Sequence, residues 1–404
     1  MAEEVHKFRN NDSAVRVGDI GWQAAYEGRL LEIRVRTLPG DLVEDQYHRQ
    51  FINMCSCSYL GLHNHPKILA GAISALEREQ MLGVSMSRLR VQPAILEELE
   101  QGLSDLFRCR SLVTHSCSAA TTGVLPLLAS GHLADDRQRR VMVFDRHCHF
   151  SMNLIKPICA DESTVLDAPH NDLDFVEDAC KKHQRVCYVA DGTYSMGGAT
   201  MLEGLIELQD RYGLFLFLDD SHSVSICGER GEGYVRSRVS DELSPLTIIV
   251  ASLAKGFGAG GGVIMLGGSG HEQTLLRYGG PMTWSQGPNV PTLGACLASL
   301  ELHRSPELAL LQRQLHENVA IFDREIETSG RGDGLHIRKV SVGAEETAVR
   351  CSEQMMERGF YTSAVFFPIV ERGKAGLRVM LRADNRPADV LRFCEAVREV
   401  VQFD

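Results

Sequence analysis

Short apolar runs alternate with amphipathic stretches over most of this 404-residue chain, and this alternation is what most constrains its fold. The runs expected to form buried strands are 141–144, 186–189, 214–218, 248–250 and 263–266. Helical spacing is found before them, at 66–76 and 96–106, and between them, at 172–183 and 202–212. Strand and helix in alternation predict an α/β fold with a mainly parallel sheet and helices on both faces.

The pattern changes after Pro291. A long helical stretch that includes 306–328 leads into a smaller α+β unit. Its expected strands are 336–342, 363–367 and 377–381, and its expected helices are 345–358 and 387–401. The domain prediction has three parts. The N-terminal segment, 1–60, joins the small domain, the large domain spans 61–290, and the C-terminal small domain spans 291–404.

Two charged residues follow two of the apolar runs. Asp219 ends the run 214–218, and Lys255 follows the run 247–251. Open α/β sheets bind ligands at the carboxyl ends of their strands. A lysine that can form a Schiff base, together with a carboxylate for a pyridinium nitrogen, suits pyridoxal 5'-phosphate. Taken singly, Asp219 could be a turn residue and Lys255 a solvated loop residue, but together they favour this cofactor.

The glycines that follow Lys255 allow an alternative reading. The segment from Gly256 to Gly261 fits the spacing of a dinucleotide-binding turn, which would make the chain an oxidoreductase. That fingerprint must open a helix. Here the chain leads instead into the β-like run 263–266, so the dinucleotide interpretation is rejected.

Composition excludes several classes of function. The net charge is −11, without a basic patch for nucleic acid or a polybasic stretch for a membrane. A charged amino terminus and the lack of a long apolar run favour a cytoplasmic location. The twelve cysteines are expected to be free thiols. No metal site is expected from the Cys55/Cys57 pair or from His147 and His149, because no second cysteine pair has zinc-type spacing.

Several stretches together resemble one known family. They are Ser58-Tyr59-Leu60-Gly61-Leu62, Ser87-Arg88-Leu89, Tyr194 to Gly198, Asp219-Asp220-Ser221-His222, Gly228 to Gly233 and Ser252-Leu253-Ala254-Lys255. The chain resembles the α-oxoamine synthases, which are pyridoxal-phosphate-dependent transferases of fold type I, the aspartate-aminotransferase type. The sequence around His222 and Lys255 is most similar to that of the quorum-sensing autoinducer synthase branch.

The resemblance implies roles for four catalytic residues. Lys255 would hold the cofactor, and His149 would stack on its ring. Asp219 would pair with the ring nitrogen and keep it protonated, so that the ring accepts electrons. His222 would reach the ring hydroxyl. For His149, the alternative is a histidine with a purely structural role.

The resemblance also implies a phosphate site. Backbone N–H groups of Cys117 and Ser118, at the start of an expected helix over 119–128, would bind the phosphate. Ser252 would add a hydroxyl. Ser195 and Ser221 are supporting candidates, and each could instead be a small residue at a tight turn.

Arg378 matches the family arginine that binds the amino-acid carboxylate through two hydrogen bonds, although an exposed strand arginine is the alternative. The sequence also departs from the family pattern. The departures lie at 83–86, at 55–58, at Ser285-Gln286 and at Asn385. They affect the substrate pocket, the contact with a partner subunit's phosphate and the recognition of the acyl carrier.

These residues predict an acyltransferase that joins an acyl thioester, carried by coenzyme A or a carrier protein, to a small amino acid with loss of carbon dioxide. The family implies a homodimer. An aminotransferase, a β-eliminating lyase or an aldolase remains the alternative on the same fold. A non-catalytic partner subunit is a further alternative, but such subunits lose the lysine that this chain retains. The sequence leaves open which amino acid and which acyl chain are used.

Overall fold

The computed structural model of the chain describes residues 11–268 and 270–401, which form two compact units. Unit 1 comprises the described residues up to Tyr59, the short stretch Met196–Gly198, and the chain from Arg313 onward. Unit 2 comprises Leu60–Ser195 and Ala199–Gln312.

Unit 2 is built on a seven-stranded sheet with the order β4-β10-β9-β8-β7-β5-β6. The strands are β4 (Arg110–Thr114), β5 (Val141–Asp145), β6 (Val165–Ala168), β7 (Val186–Asp191), β8 (Phe215–Asp219), β9 (Thr247–Ser252) and β10 (Gly262–Leu266). The pairs among β6, β5, β7, β8 and β9 are all parallel, and β10 is antiparallel to both of its neighbours. The mainly parallel α/β sheet predicted from the sequence is confirmed.

Helices surround this sheet. They are α2 (Pro66–Glu79), α3 (Ala94–Phe107), α4 (Cys117–Ala129), α5 (Phe150–Asn153), α6 (Lys156–Glu162), α7 (Leu173–Lys182), α8 (Leu202–Tyr212), α9 (Glu272–Tyr278), α10 (Pro281–Trp284) and α11 (Val290–His303), with a 3-10 helix at Leu62–Asn64. Helix α12 (Pro306–Glu325) begins in unit 2 and continues into unit 1. The apolar strand residues pack with α3, α8 and α11 in one buried cluster.

The boundary between the units differs from the expected one at residue 290, because α11 packs within unit 2. Helices α2 and α11 meet through two glycines. A Cβ on Gly71 would lie 2.8 Å from the carbonyl oxygen of Gly294, and a Cβ on Gly294 would lie 2.4 Å from the carbonyl oxygen of Gly71. This approach of the two backbones holds α11 against α2, so unit 2 extends to Gln312.

Unit 1 contains two smaller sheets, with the orders β1-β2-β3-β12 and β11-β14-β13. The strands are β1 (Val35–Thr37), β2 (Leu42–Asp45), β3 (Gln50–Asn53), β11 (Ile337–Gly343), β12 (Phe360–Tyr361), β13 (Ser363–Val365) and β14 (Ala375–Met380). Its other helices are α1 (Asn11–Glu27), α13 (Glu345–Glu357) and α14 (Pro387–Val400). Residues from α1, β3, α13 and β14 share one apolar cluster, so early and late parts of the chain form a common core.

In the part of the chain that the structure describes, no helix is both long enough and apolar enough to cross a membrane.

Candidate active site

Asp219 is the last residue of β8 and is 3% exposed. Its Oδ1 accepts a hydrogen bond of 3.0 Å from the backbone N–H of Ser221, and its Oδ2 lies 3.5 Å from the Sγ of Cys117. The sheet holds this carboxylate at the carboxyl end of a central strand. An acid that is so deeply buried is suited to pairing with a cationic ligand group.

A second buried acid, Asp191, was missed in the sequence. It ends β7 and is in register with Asp219 on the adjacent parallel strand. Burial and the neighbouring Asp219 carboxylate raise the pKa of Asp191 well above its usual range. The neighbouring carboxylate thus disfavours the ionised form of Asp191. The signal in the sequence is that Asp191 follows the apolar run 186–189, as Asp219 follows the run 214–218.

Lys255 lies in the turn after β9, and its Nζ is 3.0 Å from the Nε2 of the buried His222. The turn is closed by a 2.9 Å hydrogen bond from the N–H of Gly258 to the carbonyl oxygen of Lys255. Gly258 has φ +75°, and a Cβ there would lie 2.2 Å from the Cβ of Leu62. A glycine is therefore required where the lysine turn closes.

Helix α4 begins beside these residues. Ser116 is its N-cap, and the Ser116 side chain accepts a 3.1 Å hydrogen bond from the N–H of Ala119. Cys117 and Ser118 are the first two helical residues, and their N–H groups have no acceptor within the helix. A Cβ on Gly262 of β10 would lie 2.5 Å from the backbone nitrogen of Cys117, so the strand packs directly against the helix start. Such a terminus attracts an anion.

Ser221 connects three of these segments. Its Oγ accepts a 2.9 Å hydrogen bond from the N–H of Ser252 and lies 3.4 Å from the Sγ of Cys117. Burial, followed by the Asp219 carboxylate, raises the pKa of Cys117, which keeps the thiol neutral. Ser195 is half-buried in the loop after β7, next to the bridge between Thr193 and Ala199.

His149 is exposed and caps the short helix α5. Its Nδ1 accepts a 3.2 Å hydrogen bond from the N–H of Ser151, so the ring is held by the chain that follows it. The backbone N–H of His149 donates to the Oδ2 of Asp191 at 2.8 Å. This bond ties the histidine turn to the strand next to the one that ends in Asp219.

Arg378 lies on β14 in unit 1. Its carbonyl oxygen accepts a 2.8 Å hydrogen bond from the Sγ of Cys55. Its Nε is buried and has no hydrogen-bond partner among residues 11–268 and 270–401. A buried guanidinium N–H without a partner is the kind of group that a ligand carboxylate satisfies.

The residues of unit 2 fit pyridoxal phosphate by their chemistry. The unit brings together a lysine amine, a buried carboxylate and a helix start lined by small residues. His149, Ser118 and Ser195 belong to the same unit, whereas Arg378 belongs to the other. The roles assigned to these side chains stay predictions.

Comparisons with known proteins agree with this chemistry. A family model described as "Aminotransferase class I and II" matches residues 49–397. The 8-amino-7-oxononanoate synthase of Geobacter sulfurreducens is 27% identical over 363 residues, which is 87% of this chain and 89% of that protein. The enzyme of the same name from a Marinomonas species is 25% identical, over 94% of each chain.

Solved structures have the same fold. Serine palmitoyltransferase of Sphingomonas wittichii superimposes with a TM-score of 0.84 at 17% identity, covering 97% of this chain and 98% of that one. The 8-amino-7-oxononanoate synthase of Francisella tularensis gives a TM-score of 0.70 at 18% identity, covering 86% and 97%. The chain thus belongs to the class I and II aminotransferase family and is a pyridoxal-phosphate-dependent acyltransferase of the α-oxoamine synthase type.

Proposed function

We propose that this enzyme joins the acyl group of a thioester to the α-carbon of a small amino acid. A carbon–carbon bond forms, the carbon–sulfur bond breaks with release of the thiol, and the α-carboxylate leaves as carbon dioxide, which gives an amino ketone. The observation that carries the proposal is the cluster of Lys255, His222 and Asp219 at the carboxyl ends of β8 and β9.

Five side chains and a helix start would hold the cofactor, which supplies an electron sink for the negative charge that develops at the α-carbon. Lys255 would bind its aldehyde carbon, and Asp219 would keep a proton on its ring nitrogen. His149 would stack on the ring, and His222 would donate to or accept from the ring hydroxyl. The N–H groups at the start of α4 would bind the phosphate, with Ser252 supporting them.

Lys255 would then act as the base. When it is not bonded to the cofactor, its Nζ would accept the α-proton of the amino acid. His222 lies 3.0 Å from that nitrogen and can orient it by a hydrogen bond. Arg378 would bind the α-carboxylate through its buried Nε and a second guanidinium nitrogen, which keeps the carboxylate ionised for departure.

A covalent-labelling experiment tests the site. Borohydride reduction of the yellow holoenzyme followed by peptide mapping should place the label on Lys255, and Lys255→Ala should lose both the label and the absorbance band. Lys339→Ala, which removes a lysine from unit 1, is the matched control and should keep both. A label on another lysine would exclude the proposed site.

Thioester dependence tests the reaction. Mass spectrometry of products from a panel of amino acids and acyl-coenzyme A compounds should detect an amino ketone only when both substrates are present. Turnover of the amino acid without a thioester would favour an aminotransferase, a β-eliminating lyase or an aldolase. The same panel, extended with acyl carrier protein, identifies the acyl carrier.

A homodimer and a cytoplasmic location are also proposed, from the family resemblance and from the charge and cysteine usage. Light scattering coupled to gel filtration should give twice the chain mass of 44.7 kDa. An active species with the mass of a single chain would contradict the dimer. The autoinducer-synthase branch likewise stays a prediction, which the product screen addresses.

A further inference from the structure

Ser225 follows His222 in the chain and has an unusual backbone conformation. Its φ is +76°, in the left-handed region that favours glycine, and the residue is fully buried. A non-glycine residue is strained there and keeps this conformation only if its surroundings restrain it. Because Ser225 lies three residues after His222, whatever restrains Ser225 also restrains the chain from 222 to 225, which we call the histidine segment.

Three hydrogen bonds restrain Ser225. Its N–H donates to the carbonyl oxygen of Gly231 at 2.7 Å, and its carbonyl oxygen accepts from the Nε2 of Gln312 at 3.0 Å. Its Oγ lies 2.8 Å from the Nε2 of His303, a buried residue at the end of α11. The first two bonds involve the backbone, so the contact with His303 is the one that depends on the serine side chain.

The hydrogen-bond geometry determines the tautomer of His303. Its Nδ1 lies 2.8 Å from the carbonyl oxygen of Ser299, which can only accept, so Nδ1 carries the proton. Nε2 is then the acceptor for the hydroxyl of Ser225. Burial lowers the pKa of His303 to about 4, so the imidazole stays neutral and keeps this arrangement at neutral pH.

The turn of α11 that carries Ser299 and His303 also contacts the residues that follow Lys255, which we call the lysine segment. The ring of His303 packs against the ring of Phe257 with centroids 4.6 Å apart. The Oγ of Ser299 donates a 2.6 Å hydrogen bond to the carbonyl oxygen of Phe257. A Cβ on Gly256 would lie 2.7 Å from the carbonyl oxygen of Val224, so the segments that carry Lys255 and His222 touch through their backbones.

We propose that His303 is a positioning residue that fixes the separation between the Nζ of Lys255 and the Nε2 of His222. It restrains the histidine segment through its hydrogen bond with Ser225, while the Ser299 hydroxyl on the same turn of α11 holds the lysine segment at the Phe257 carbonyl. The inference rests on the proposed function only in taking Lys255 as the residue that binds the cofactor.

Two pairs of substitutions test the proposal. His303→Leu removes the acceptor for Ser225, whereas His303→Gln keeps one in its side-chain oxygen. Ser225→Ala loses the hydroxyl and keeps the strained backbone, whereas Ser225→Gly loses the hydroxyl and accepts φ +76° without strain. Leu302→Ala, at the neighbouring buried position of α11, is the control for loss of packing alone.

The readout is the pH midpoint of the absorbance change of the cofactor bound to Lys255, measured together with kcat, KM and thermal unfolding. His303→Leu and Ser225→Ala should shift the midpoint by at least about half a pH unit and lower kcat about tenfold, with each KM changed less than about twofold. His303→Gln, Ser225→Gly and Leu302→Ala should keep the wild-type midpoint. The double variant Ser225→Gly/His303→Leu should recover most of the lost kcat.

The opposite results overturn the proposal. If His303→Leu lowers only the unfolding temperature, as Leu302→Ala does, then His303 is a packing residue. If His303→Leu does not fold, equal midpoints in Ser225→Ala and Ser225→Gly reject the link to His222. A wild-type protein without a band from cofactor on Lys255 would instead overturn the proposed function on which the inference rests.

Discussion

A buried ion pair, Arg88 with Glu100, gives the most quantitative prediction of stability. The two side chains are 6% and 3% exposed and form two hydrogen bonds, at 2.7 and 3.0 Å. Both also bind strand β4 at Val113, where Arg88 donates to the carbonyl oxygen and Glu100 accepts from the N–H. The pair therefore joins α3 and the segment before it to the edge of the large sheet.

The expected cost of breaking this pair follows from its burial. Glu100→Ala leaves the Arg88 charge without its counterion and the Val113 N–H without an acceptor. The removal of one partner of a buried pair lowers the free energy of unfolding by about 3–5 kcal/mol. The exposed pair of Arg108 and Asp241, at 2.8 Å with exposures of 54% and 89%, is the control, and Asp241→Ala should cost less than about 1 kcal/mol.

Chemical denaturation of the apoprotein, followed by far-ultraviolet circular dichroism, measures these differences. The double variant Arg88→Met/Glu100→Leu removes both charges, so it should recover the part of the stability that the unpaired Arg88 charge costs, while Val113 stays without its side-chain partners. The reasoning is refuted if Glu100→Ala costs no more than Asp241→Ala. It is also refuted if the double variant is less stable than Glu100→Ala.

Two further predictions concern the site, and a third concerns the pH dependence of stability. Asp219→Asn should retain the cofactor but slow exchange of the substrate α-proton about 100-fold or more, and exchange at the wild-type rate by NMR would make Asp219 structural. Arg378→Lys should weaken amino-acid binding about tenfold and leave thioester binding unchanged in calorimetry, whereas equal losses would contradict its role. Burial raises the pKa of Asp220 from 3.8 to about 6, so the folded state holds this proton more tightly than the unfolded chain does. Relative to Asp220→Asn, the wild type should therefore lose about 3 kcal/mol as the pH rises from below 4 to above 6, and parallel pH profiles would reject this.

The central strands could be predicted because both of their faces are buried, and most helices because one face is buried and the other is exposed. Nearly continuous apolar runs form strands β5, β7, β8, β9 and β10, and helix α8 follows a regular amphipathic pattern. Strands β4 and β6 were missed because they form the two edges of the sheet and carry polar residues, such as Arg110 and Asp167. Edge strands lack the uninterrupted apolar signal of a strand with two neighbours.

The site was predictable where the family motif and strand ends coincide, as at Asp219 and Lys255. Asp191 was missed because its importance comes from register with Asp219, and register is a property of the sheet. The role proposed for His303 could not be predicted from the sequence for a related reason. Its contacts with Ser225 and Phe257 depend on the packing of α11 within unit 2, whereas the sequence pattern placed this helix in the small domain, 291–404.

The glycine crossing of α2 and α11 has a consequence for suppressor genetics. A side chain on Gly71 would collide with the backbone of Gly294, and the reverse substitution would collide with the backbone of Gly71. Most core clashes can be relieved by trimming the opposing side chain, but here no second-site substitution at the partner glycine can make room. A search for revertants of Gly71→Val should therefore return the original codon, or changes that shift a whole helix, and no compensating change at residue 294.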